Sequence, residues 1–310
     1  MKQKMFDSTL FIAVIMLVIF GIIMIYSSSH IWALYKYNDA LKYVKAQSLF
    51  FIVGIIAMII VSKIPYMNYY NKANIILGVC FLLLILVLIP GIGTIRNGSR
   101  SWFGIGSFGI QPSEFVKLGL TIFTAKYLAR NSNATKNIFS DILPIFFITI
   151  IAFGLIMLQP DFGTGMVVIF SIVALFFIAD VNLKFFINIG ILGLIGIGAL
   201  IIMAPYRITR IISFLNPWQD PLGSGFQIIQ SLFAIGPGGL LGFGFGNSIQ
   251  KHFYLPEPQT DFIFAIISEE FGFMGILIVS FFFGLILYRG ILIALNSTNA
   301  FEKYLTKSQE

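Results

Sequence analysis

Long apolar runs, interrupted at intervals by short polar segments, occupy most of the chain. Crossing a hydrocarbon core of ~30 Å takes about 20 apolar residues in a helix. Eight stretches meet that length with few charges inside them: 9–28, 47–65, 73–90, 112–129, 139–158, 163–180, 184–204 and 262–293. The pattern predicts an all-α fold, a polytopic membrane helical bundle of about eight transmembrane helices, because a helix satisfies its own backbone in lipid. The last stretch is longer than a span needs, which leaves room for a surface helix at its start. Between the seventh and eighth spans runs a polar, Gly- and Pro-rich loop, 205–261, with no evident structure of its own. Loops of that length are usually functional rather than connecting, and this one delivers Asp261 to the edge of the eighth span. The chain, 1–310, reads as a single membrane domain that contains this loop.

Composition supports the same class: 58% of residues are hydrophobic, 11% are charged and the mean hydropathy is +0.92. The first apolar run follows Lys2 and Lys4 but is about 20 residues long, with no small-residue cleavage pattern after it, so it reads as a retained helix rather than a signal peptide. A cytoplasmic N-terminus puts eleven basic residues inside, among them Lys63, Lys126, Arg130, Lys184 and Arg289. Eight then lie outside, and Arg207, Arg210 and Lys251 among those belong to the long loop that the positive-inside rule discounts. Cys80, the single cysteine, has no disulfide partner and reads as a small core residue. His30 and His252 show no metal-ligand spacing, and no structural metal is expected. A net charge of +7 fits anionic headgroups or a pyrophosphate-bearing substrate and decides between neither. No nucleic-acid partner is expected.

Under this orientation the chemistry-bearing segments face outward. Residues 29–46 are aromatic and lysine-rich and read as an interfacial loop. The segment 91–114 combines glycines, two arginine forks suited to phosphate (Arg96 and Arg100) and Trp102 at the headgroup level. It fits either substrate binding or a plain interfacial re-entry with snorkelling arginines. Pro112 suits the first turn of a helix, which places Glu114 and Lys117 on one face, entering the membrane and pointing inward. Ionisable groups at that depth are functional candidates by default, and a structural ion pair is the plainer alternative. Asp161 reads as a helix cap and Asp220, before Pro221, as a turn residue. Glycines 236–246 resemble a phosphate loop only loosely, since no Lys-Ser pair follows them. Asp261 itself fits two roles, a cap on the last helix or a general base.

Six motifs then occur in order: Arg96-Asn97-Gly98-Ser99-Arg100-Ser101-Trp102; Gln111-Pro112-Ser113-Glu114 with Lys117; Gln159-Pro160-Asp161 with Gly163-Thr164; Asp220-Pro221-Leu222-Gly223-Ser224-Gly225; Ala234-Ile235-Gly236 with Gly238-Gly239; and Leu255-Pro256-Glu257 followed by Thr260-Asp261-Phe262-Ile263-Phe264. With this topology the chain resembles the SEDS family (shape, elongation, division and sporulation) over nearly its whole length. Asn216-Pro217-Trp218 and Pro256-Glu257-Pro258-Gln259 look most like its division and sporulation branch.

The resemblance implies a peptidoglycan glycosyltransferase of the bacterial cytoplasmic membrane that polymerises lipid II into undecaprenyl-linked glycan at the outer face. A class B penicillin-binding protein is the implied transpeptidase partner, and membrane lipids surround it. The family's essential aspartate maps onto Asp261. Arg96, Arg100, Trp102, Glu114, Lys117, Arg207 and Arg210 are the implied substrate-binding residues, with no certain cofactor and a divalent cation (Mg or Mn) as the one candidate. Family members usually carry about ten membrane helices; this chain supplies eight and continues into a polar tail from Asn296 to Glu310, an arrangement that leaves a side of the cavity open to lipid. Two other readings are a lipid II flippase and a non-catalytic division scaffold. A flippase calls for ionisable residues near mid-membrane, whereas Glu114 and Lys117 are expected near the outer end.

Overall fold

The structure, a computed structural model, describes residues 7–96, 98–104, 109–130, 141–203, 206–297 and 299–307. Among the described residues a helix forms on each of the predicted apolar runs: α1 (Ser8–Tyr37), α2 (Lys42–Lys63), α3 (Tyr66–Leu88), α4 (Pro112–Arg130), α5 (Leu143–Met157), α6 (Phe162–Ile178), α7 (Leu183–Met203) and α10 (Ile263–Leu295). Four of these, α1, α2, α3 and α10, are each long and apolar enough to cross a membrane; α5 and α6 are as apolar but shorter. The apolar residues of α2, such as Ile52, Ile56 and Ile60, are exposed, as expected for a face that meets lipid.

Three segments differ from the expectation. The aromatic stretch after residue 28 continues α1 to Tyr37, where Asn38, in the left-handed conformation, ends the helix and donates its N–H to the Leu34 carbonyl. The loop 205–261 is not structureless. It contains α8 (Tyr206–Leu215), a 3₁₀ turn at Pro217–Gln219 and α9 (Phe226–Ile235). Helix α8 alternates Ile208, Ile211 and Ile212 with Arg207 and Arg210, an amphipathic pattern diluted by the flanking glycines and prolines. The polar tail also folds, as α11 (Ala300–Lys307), because Phe301 is apolar enough to anchor it: its ring is buried and meets Tyr70 edge-on at 5.3 Å.

The chain divides into two compact units. The first comprises residues up to Lys63 together with Leu194–Arg289. Its core joins Met24 of α1, Ala234 of α9, Leu255 of the loop and Ala265, Ile266 and Ile267 of α10. Asp7 caps α1 through the Leu10 N–H and pairs with Arg289 at 2.5 Å, which ties the start of α1 to α10. The second unit comprises Ile64–Gly193 with Gly290–Glu310. Leu84, Leu120, Ile145, Ile156, Ile172 and Phe176, from α3 to α6, are fully buried in it. Helices α3 and α4 approach so closely that a Cβ on Gly119 would lie 2.8 Å from the Cys80 sulfur, so the cysteine is a core residue. A two-stranded antiparallel hairpin, β1 (Thr94–Arg96) and β2 (Ser99–Trp102), precedes α4, with Arg96 opposite Ser99.

Candidate functional site

In the second unit the hairpin turn brings Arg96 over the Trp102 ring, with the guanidinium carbon 5.1 Å from the ring centroid. A side chain on Gly109 would strike that guanidinium at 2.8 Å, so the glycine makes room for Arg96. Arg100 reaches the Leu88 carbonyl from Nη1 at 3.5 Å, and its Nε is buried without a partner among the described residues. Pro112 opens α4 as expected, and Glu114 pairs with Lys117 at 2.7 Å. Their side chains are 53% and 27% accessible, and the pair joins one helical turn rather than two helices. Asp161 is a cap. It accepts from the Thr164 N–H at 3.1 Å and hydroxyl at 2.8 Å, and from Gln111 Nε2 at 2.8 Å.

The remaining candidates belong to the first unit. Asp220 is a turn residue whose carboxylate accepts from the Ser224 N–H at 2.8 Å and hydroxyl at 3.1 Å. Those bonds, the backbone one first, hold its carboxyl below the usual carboxylate range. Arg210 is exposed on α8, and the Arg207 side chain lies outside the described residues.

Asp261 is exposed directly before α10. It does not cap that helix. The Phe262 carbonyl receives the first helical N–H groups, from Ala265 at 3.0 Å and Ile266 at 3.3 Å. Among the described residues no hydrogen bond reaches the Asp261 carboxylate, which leaves it open to a ligand. The turn before it is built by Glu257, whose carbonyl accepts the Thr260 N–H, and Gln259 Nε2 donates to the Glu257 carboxylate at 3.0 Å. Trp32 and Tyr35 of α1 meet Phe253 of the same loop, ring centroids 5.5 and 5.4 Å apart.

Sequence reasoning missed a buried ionic cluster one step back along this loop. Lys251, counted as an exterior loop cation, is 2% exposed and pairs with Glu270 at 3.0 Å; Glu269 and Glu270 are 1% and 0% exposed. The signal that could have found them is two adjacent glutamates inside an apolar run, which calls for partners by default. They sit beside a break in α10: Gly272, at φ 60° and ψ −151°, leaves the helical conformation. The carbonyls of Glu269 and Glu270, freed by the break, accept from the N–H groups of Phe243 and Gly244, both at 2.9 Å. Reciprocally, Phe273 and Met274 donate to the carbonyls of Gly239 and Leu240. A Cβ on Gly242 would lie 2.3 Å from the Glu270 backbone, which explains the loop's glycines better than any phosphate-binding role.

A family model described as a cell cycle protein, FtsW/RodA/SpoVE, matches residues 7–309. The chain belongs to this family. Among its relatives, stage V sporulation protein E of Bacillus subtilis is 48% identical over 98% of this chain and 83% of its own length. A protein of Saccharophagus degradans named as a probable peptidoglycan glycosyltransferase FtsW is 39% identical over 93% of this chain and 74% of its own length. Among solved structures, a chain from a peptidoglycan synthase complex described as coordinating polymerization and crosslinking superposes with a TM-score of 0.75. It is 28% identical, with 99% of this chain and 83% of that chain covered. The rod shape determining protein RodA of Thermus thermophilus, as a mutant, gives 0.69 at 25% identity, with 99% and 81% covered. The FtsW/RodA/SpoVE fold is that of a polytopic membrane protein, and the helices described above are this chain's version of it.

Proposed function

We infer that this chain is a peptidoglycan glycosyltransferase, polymerising lipid II into glycan strands at the outer face of the cytoplasmic membrane for division or sporulation. The observation that carries the reading is the family membership joined to relatives named for that activity at 39% and 36% identity. The exposed, unbonded carboxylate of Asp261 supports its assignment as the general base. In the proposed reaction Asp261 takes the proton from the acceptor sugar's 4-hydroxyl as that oxygen bonds to the anomeric carbon of the donor chain. The bond from that carbon to the pyrophosphate oxygen breaks, and undecaprenyl pyrophosphate departs with the electron pair. Arg207 and Arg210 on α8 are the proposed counter-charges in the first unit. Arg96, Arg100, Trp102, Glu114 and Lys117 are the proposed substrate-binding residues of the second.

Among the described residues no group of three or more His, Cys, Asp or Glu side chains could hold a metal ion. No step is derived through a divalent cation, which one or two carboxylates together with substrate phosphates could also hold. A class B penicillin-binding protein is the proposed partner, supported by the likeness to a chain of a peptidoglycan synthase complex. A cytoplasmic N-terminus is proposed from the bias in basic residues.

The test is polymerisation of labelled lipid II by purified protein, alone and with a cognate transpeptidase, comparing the native chain with Asp261→Asn. Glycan made by the native chain and lost in the variant is the expected result. Equal glycan from both removes Asp261 as the base, and lipid II crossing liposome membranes without any glycan would favour transport instead.

A further inference from the structure

The buried cluster around Lys251 does more than hold the first unit together. Its ammonium has three donors, and all three are used: to Glu270 Oε1 at 3.0 Å, the Gly246 carbonyl at 2.6 Å and the Ser27 hydroxyl at 3.3 Å. Ser27, on α1, donates in turn to Glu270 at 2.6 Å. Glu269, the adjacent carboxylate, grips the same loop by its backbone. It accepts from the Ser248 hydroxyl at 2.5 Å and from the N–H groups of Ile249 at 2.9 Å and Gln250 at 3.4 Å. The stretch 246–251 is thereby fastened to α10 by charge-assisted bonds, roughly two helical turns, about 10 Å, below the helix start.

The chain then returns to that helix start through 252–261, a link fastened at both ends with Asp261 at its upper end. This link is strained. Phe253 and Glu257 lie at φ 67° and 49°, the left-handed region that residues other than glycine, asparagine and aspartate seldom adopt. Non-glycine residues persist there when their surroundings over-determine the backbone, and such strain gathers at functional sites. Buried anchors at one end, a helix start at the other and Leu255 sunk in the core between them are such surroundings.

We propose that Lys251, with Glu270 and Ser27, is a positioning residue for the reaction: its buried ionic lock holds the strained link 252–261 so that Asp261 meets the acceptor hydroxyl in a fixed place. The proposal rests on Asp261 as the base. A misplacement of about 1 Å costs a reaction roughly 10²-fold in rate, so releasing one anchor should lower turnover far more than substrate affinity.

The experiment uses the purified chain with a cognate transpeptidase, labelled lipid II, and four proteins: native, Asp261→Asn, Lys251→Gln and the double variant Lys251→Met with Glu270→Leu. The double variant guards against simple unfolding, because replacing both members of a buried ion pair by apolar side chains of similar size often leaves stability intact. In both Lys251 variants we expect kcat to fall at least about tenfold, lipid II binding to change by less than about threefold, and chymotrypsin to cleave faster at Phe253 and Tyr254. The double variant should do this while keeping the native melting temperature. Native turnover in the stable double variant overturns the proposal, as does a loss of turnover that only tracks the folded fraction. Turnover retained by Asp261→Asn instead removes the base assignment and the positioning role with it, whereas an inactive Asp261→Asn beside a fully active double variant removes the lock alone.

Discussion

Two ion pairs in this protein use the same chemistry in opposite settings. Glu114 and Lys117 join one turn of α4 at 2.7 Å, with about half of the glutamate accessible. Lys251 and Glu270 join the long loop to α10 at 3.0 Å and are almost entirely shielded. The first is local in sequence and needs only a helix to form. The second needs the loop, α1 and α10 to be in place, and once formed it cannot be half undone, because a charge left alone in the interior has lost its water. Location therefore decides which pair organises structure. The exposed pair stays open to solvent, and the buried one ties the loop to α10.

The comparison can be broken at several points. The largest effect is expected at Asp261, which neither pair contains: Asp261→Asn should lower lipid II polymerisation by roughly 10²- to 10⁴-fold, the usual range for a general base, with the melting temperature unchanged. Next comes Lys251→Gln, which strands Glu270 and should destabilise the first unit by about 3–5 kcal/mol in denaturant unfolding. An unchanged midpoint there would show that water reaches the cluster. Gly272→Ala forces a Cβ to within 2.5 Å of the Gly242 nitrogen at a backbone angle suited to glycine, and about 3 kcal/mol of destabilisation is expected. Lys117→Gln sharpens the contrast from the other side: an exposed i,i+3 pair contributes about 0.3 kcal/mol, so unfolding should barely move while lipid II affinity falls.

The smallest effect concerns pH at Asp220. Its carboxyl is held below the usual value, so its contribution to stability is complete above the unfolded pKa of about 4. That contribution is lost as pH falls through the lower folded value. Ser224→Ala removes a hydroxyl donor and should move the Asp220 titration back toward the usual range, measurable by carboxyl NMR shifts.

Much of the local structure was legible before any fold was considered. Pro112 announced the start of α4, Asp161 its role as a cap, and Asp220 before Pro221 its turn, because each acts on neighbours a few residues away. The long loop was harder to read. Helix α8 is one short amphipathic stretch among glycines and prolines, and apolar length, the strongest signal in a membrane chain, does not register it. Asp261 lay beside a helix start and fitted a cap, yet the Phe262 carbonyl serves that end, which frees the carboxylate.

By itself the sequence determined the membrane class, the positions of the long helices and the family, since apolar length and ordered motifs are one-dimensional properties. Only the tertiary structure decided that Lys251 is interior, that α10 breaks at Gly272 and that the loop backbone fills the break. The reason is physical. Whether a charge is solvated, paired or stranded depends on what packs over it, and here the groups that cover Lys251 come from residues as far apart in the chain as Ser27 and Glu270.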